Sequence, residues 1–175
     1  MRISAGFLLF LAGMLLLAPL EWIIAFAVAA GFHELCHLAA IRVLTGNSAK
    51  VRLYANGAQM PIPQMSAGRE AVCAISGPLG GLMLLPLVGI LPRIAICSAI
   101  QSVYNLLPIY PFDGGRALRC ATAMLFPPNI ARAVCRWMEV VFVILLIVVS
   151  IYASFWLKLG LFPLLLSLLL LIRIK

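Results

Sequence analysis

Apolar residues run along this chain in long blocks separated by single charges, not at the 3.6- or 2-residue spacing of a half-buried helix or strand. A membrane-crossing helix needs about 20 mostly apolar residues. Counting between charges gives six such runs, at residues 3–20, 22–41, 71–92, 94–112, 140–157 and 159–172. The first follows Arg2 as a signal peptide would, but no small-x-small cleavage site closes it, so it reads as a helix. The expected fold is an all-α polytopic membrane protein of six transmembrane helices. It forms one membrane-embedded domain over residues 1–175, with no soluble domain appended at either end. One segment departs from the helical pattern. Residues 51–60 favour β-structure on both sides of Asn56-Gly57, a short-range hairpin signal, and Pro61 and Pro63 end any pairing. A membrane-associated β-hairpin is therefore expected between the second and third helices.

Composition supports the membrane and excludes other classes. The chain is 65% hydrophobic with 10% charged residues and a mean hydropathy of +1.14, against about 25% charged residues in a soluble domain. A chain of 175 residues must leave much of its surface outside any core, so this excess does not fit a soluble enzyme or a disordered tail. The net charge of +8 fits membrane orientation better than nucleic-acid binding. With six crossings, eleven of the 13 bases fall on one side, leaving Arg93 and Lys158 on the other. The positive-inside rule then places both termini and the two long loops in the cytoplasm of a multi-pass cell-membrane protein. The five cysteines are scattered without a C-x-x-C pair and read as small packing residues.

Chemistry is concentrated in a few positions. Both histidines lie in one pentapeptide, His33-Glu34-Leu35-Cys36-His37. Four residues apart on a helix, two imidazoles share one face and can chelate one metal. Glu34 is then placed to act on metal-activated water instead of ligating. Ionisable groups inside an apolar helix are costly and usually functional. A catalytic zinc takes three protein ligands, and without a third histidine the candidates are carboxylates or a thiolate. Glu21 falls at the opposite membrane face. Glu70 sits beside Arg69 at a helix start, where an acid is ordinary. Glu139 stands three residues from Arg136, at ion-pair spacing. Cys36 points off the chelating face. Asp113 follows the proline-broken run from Asn105 and precedes Gly114-Gly115, at a membrane depth close to that of His37. Irregular backbone at that depth suits a wet cavity, which favours Asp113.

With these residues in view, the chain resembles the site-2 proteases, the intramembrane zinc metallopeptidases, most closely the short stage IV sporulation protein FB type. Three blocks carry the likeness: residues 33–37 (HELCH), residues 76–81 (SGPLGG) and residues 105–115 (NLLPIYPFDGG). The likeness covers roughly residues 20–120. It implies one zinc ion held by His33, His37 and Asp113, with Glu34 as general base. It also implies that Asn105 and the Asn56–Gly57 hairpin help hold a transmembrane protein substrate. The family usually carries an asparagine three residues after the proline of the second block, where this chain has Gly81.

The resulting expectation is a zinc endopeptidase that cleaves transmembrane or membrane-proximal segments, with the bilayer as surroundings and scope for a regulatory membrane partner. A catalytically inactive relative acting as a membrane adaptor is the alternative, although neither a ligand nor the base is lost. A transporter would spread ionisable groups along a path and show internal repeats; here they gather at one depth.

Overall fold

Ala25, Ala29, His33, His37 and Ile41 recur every fourth residue, and with Ile23 they are the buried positions of helix α1, Leu20–Thr45. Large apolar side chains such as Ile24, Val28 and Leu35 are exposed on the same helix. A helix apolar on its outer faces with its two histidines turned inward is built for lipid, not water. These features come from a computed structural model that describes residues 2–3, 19–46, 52–54, 57–59, 65–156, 167–168 and 171. Helix α1 stops where Gly46 adopts a left-handed conformation (φ 71°) and its N–H bonds the Arg42 carbonyl, the usual role of glycine just past a helix end.

Helix α2, Ala67–Leu82, buries Cys73, Ala74, Gly77, Pro78, Gly80 and Gly81. Such small side chains let backbones approach closely where lipid gives no hydrophobic drive to helix association. A 3₁₀ turn at Leu85–Gly89 extends it. Pro92, in the first turn, then opens helix α3, Pro92–Asn105, where its missing N–H costs nothing. Helices α1, α2 and α3 pack on one another within a compact unit, Met1–Leu106. Ser98 Oγ donates to the Gly81 carbonyl at 2.8 Å, and Arg93 meets Glu21 at 2.6 Å.

In the same unit, strand β1 (Arg2–Ile3) runs parallel to β2 (Arg52–Tyr54), which pairs antiparallel with β3 (Gly57–Gln59). Tyr54 is opposite Gly57, so Gly57 is a paired strand residue, whereas the Asn-Gly signal expected it at a turn centre. Asn56 lies outside the described residues.

The second unit, Leu107–Lys175, contains helix α4, Asp113–Leu125, and helix α5, Pro128–Phe155. They pack together, with Thr122 Oγ1 3.2 Å from Cys135 Sγ. Phe126 is extended and Pro128 falls at the start of α5; the residue before a proline resists helix, which separates the two. Of the three long apolar helices among the described residues, α5 is the least buried, with 11% of its most apolar stretch buried against 28% for α1.

Three described helices are long and apolar enough to cross a membrane: Leu20–Thr45, Ala67–Gly89 and Pro128–Phe155. Two expected runs are bounded differently. The run at 94–112 is helical only to Asn105, because Pro108 and Pro111 lack backbone donors and disfavour helix before them. The expected loop after Asp113 contains α4, and α5 begins well before residue 140. Most of the runs at 3–20 and 159–172 lies outside the described residues, although Ile3 is in β1.

Candidate metal centre

The fourfold stripe of α1 places His33 and His37 one turn apart, 4% and 7% exposed. Their rings meet edge to face, with centroids 4.8 Å apart. The two Nε2 atoms lie 3.1 Å from each other. Two imidazole nitrogens bound to one tetrahedral zinc at about 2.0–2.1 Å would be separated by roughly 3.3 Å. The pair thus already presents two nitrogens at close to chelating separation, and its donor chemistry suits zinc.

His37 is held from behind. Its Nδ1 lies 2.7 Å from the Cys73 carbonyl of α2; only a protonated Nδ1 can donate to that oxygen. The hydrogen bond therefore fixes the tautomer that leaves the Nε2 lone pair for a metal. Ser76 Oγ donates to the same carbonyl at 2.7 Å and lies 3.4 Å from Nδ1. Gly77 makes room for the ring. A Cβ there would stand 2.6 Å from His37 Cε1 and 2.7 Å from Cδ2, and nearer still to Nε2. A Cβ at Gly80 would likewise stand 2.8 Å from Cys36 Cβ. Cys36 thus packs against α2 at Gly80. Glu34, between the two histidines in sequence, is half-buried on α1.

Gly81, the departure from the family pattern, has a local reason. A Cβ there would collide with Ser102 Oγ and stand 3.1 Å from Ser98 Oγ. Two serine hydroxyls of α3 therefore fill the space that a larger residue would need.

The remaining expected site residues lie on other elements of the chain. Asn105 is the last residue of α3, half-buried, and Gly57 opens β3. In the second unit, Asp113 begins α4 and is 8% exposed. Arg116 Nη1 lies 3.6 Å from its Oδ1. Glu139 pairs with Arg119 of α4 at 3.0 Å, which corrects the expected partner, Arg136. The Cys73 carbonyl and the α4 partner of Glu139 were missed by sequence reasoning. A backbone acceptor leaves no mark in a sequence, and α4 itself was read as a loop because Arg116 and Arg119 interrupt its apolar pattern.

No protein-family model and no curated protein matches this chain. Its fold is similar to that of a solved structure, the Site-2 Protease from Methanocaldococcus jannaschii. The TM-score is 0.69 over 98% of this chain and 87% of that one, at 18% sequence identity.

Proposed function

We propose that the chain is a zinc-dependent intramembrane endopeptidase of the site-2 protease type, in which His33, His37 and Asp113 hold one metal ion. The observation that carries this reading is the buried His33–His37 pair, with Nε2 atoms 3.1 Å apart and His37 Nδ1 committed to a main-chain carbonyl. A structural polar cluster has no need of that arrangement. The fold likeness over 98% of this chain supports it.

When bound, a zinc ion supplies Lewis-acid activation of water and of the scissile carbonyl. Glu34 accepts the proton of the attacking water and delivers it to the leaving amine, a two-way transfer open to a carboxylate near the metal. His37 keeps its orientation through the Cys73 carbonyl, so no reorganisation accompanies the step. Asp113 would add a negative ligand, which offsets part of the charge of the cation inside an apolar surround.

The substrate proposed is a transmembrane or membrane-proximal protein segment, held by Asn105 and by strand addition at the Asn56–Gly57 region. A transmembrane helix hides its amides in internal hydrogen bonds, and pairing with a strand edge re-satisfies those groups after local unwinding. Six crossings, cytoplasmic termini, a cytoplasmic active-site end and kinship with the short stage IV sporulation protein FB type complete the proposal.

The decisive experiment is metal analysis with cleavage of a single-span model substrate by wild type and Glu34→Gln. Zinc near one ion per chain in both proteins is expected, with cleavage lowered at least about 100-fold in the variant, the scale on which proton transfer contributes. Equal cleavage by both, or wild-type protein purified without zinc, overturns the reading.

A further inference from the structure

Of the five acidic residues, the proposed chemistry uses Glu34 and Asp113. Glu21 is spent on an exposed ion pair with Arg93, and Glu70 stands in the first turn of α2. Glu139 is different. It sits on α5, its side chain is only 12% exposed, and the proposed mechanism gives it no task. A carboxylate so far withdrawn from solvent must be compensated by specific partners, and those partners flank Asp113 in the chain, Tyr110 before it and Arg119 after it.

Glu139 Oε1 accepts from the Tyr110 backbone N–H at 3.3 Å and from Arg119 Nη2 at 3.0 Å. The Arg119 guanidinium in turn lies 3.9 Å from the centroid of the Tyr110 ring, within cation–π range. One carboxylate oxygen thus joins α5, α4 and residue 110. The same backbone is gripped from the other side. A Cβ at Gly115 would stand 2.5 Å from Tyr110 N and 2.6 Å from the Ile109 carbonyl oxygen, so the first turn of α4 lies directly against this segment. Ile109 is 1% exposed, and Phe112 N–H bonds the Ile109 carbonyl at 2.9 Å. Asp113 follows immediately.

A stretch containing two prolines can make few backbone hydrogen bonds of its own. Its course must therefore be set by groups outside it, and Glu139 supplies the charge-assisted one. We infer that Glu139 is a positioning residue for the metal centre: through Tyr110 and Arg119 it fixes the segment that aims the Asp113 carboxylate. The inference rests on Asp113 being a metal ligand, as proposed above. A ligand held by a softer support keeps its chemistry but loses preorganisation, and loss of such outer partners typically lowers metal affinity about 10- to 100-fold.

The test uses the full-length protein in detergent or nanodiscs, stripped of metal and titrated with Co²⁺, whose visible d–d bands report ligand geometry. Glu139→Ala is expected to weaken Co²⁺ binding about 10- to 100-fold and to alter those bands. Glu139→Gln retains an acceptor for Tyr110 N–H and is expected to recover much of both. Wild-type affinity and spectrum in Glu139→Ala overturn the inference, as does a Glu139→Gln variant no better than Glu139→Ala. If Glu139→Ala does not fold, Arg119→Ala carries the test at a half-exposed position. A smaller spectral change of the same kind supports the role, and an unchanged spectrum overturns it. Failure of the metal-centre reading is separately visible: wild-type protein would then bind no Co²⁺, and the inference would fall with its premise.

Discussion

His37 and Asp113 are both polar side chains withdrawn from solvent, yet the two are seated by different means. His37 stands in the middle of a continuous 26-residue helix. Its position follows from helical register, and what surrounds it is regular backbone of α2: a carbonyl, a serine one turn on and the gap at Gly77. Asp113 stands where regular structure begins, after a segment without helix, and its approach is held by a carboxylate, a guanidinium and an aromatic ring. One side chain is aimed by geometry repeated along a helix. The other depends on a few long side chains. The first arrangement resists point substitution except at the small residues, whereas the second has several places at which to fail.

The largest effect that could break this contrast is at Gly115. An added methyl there meets backbone atoms of Ile109 and Tyr110, which cannot rotate aside. Gly115→Ala is therefore expected to destabilise the fold by about 1–3 kcal/mol, read from thermal unfolding of the purified protein. An unchanged midpoint would show that the segment yields easily. Gly77→Ala meets a side-chain ring instead. Its expected signature is a loss of metal, measured by zinc competition, larger in proportion than its loss of stability, because displacing the imidazole disturbs the chelate before the helix packing. Equal effects at the two glycines would erase the distinction.

Ser76→Ala probes a weaker contribution. It removes one donor to the Cys73 carbonyl while leaving the His37 hydrogen bond, so stability is expected to fall by about 0.5–1.5 kcal/mol in thermal unfolding, with metal affinity unchanged. The smallest effect belongs to Arg93→Ala. The ion pair with Glu21 is mostly exposed, at 53% and 66%. Its loss is expected to cost no more than about 1 kcal/mol of stability and no metal, since pairs in contact with solvent contribute little.

The difference between the two seats also explains which parts of the molecule were legible in the sequence. The α1 site was readable because two histidines and a glutamate interrupt an apolar helix at a spacing that only one face can use. The prolines of 106–112 announced irregular backbone but not its course, because the groups packed on it, Glu139 and Gly115, belong to later helices. Helix α4 was hidden because its arginines broke the hydropathy count and made a helix look like a loop. Glu139 was assigned the neighbour three residues away, Arg136, when its partner lies 20 residues away on another helix. Local spacing rules favour nearby charges, and only the packing of α4 on α5 selects the distant one. The Gly81 departure could be noticed but not understood, since Ser98 and Ser102 are neighbours only in the fold.

That His37 leans on a main-chain carbonyl has a consequence for how such a protein can change over time. Any amino acid at position 73 carries that oxygen, so no single replacement can delete the acceptor, and residue 73 is constrained only by the volume available to it. An insertion or deletion within α2 is another matter, because one residue turns the following carbonyls by about 100° around the axis. The support of His37 is thus tolerant of spelling and intolerant of frame. Natural variation around it should appear as exchanges among small residues at constant segment length.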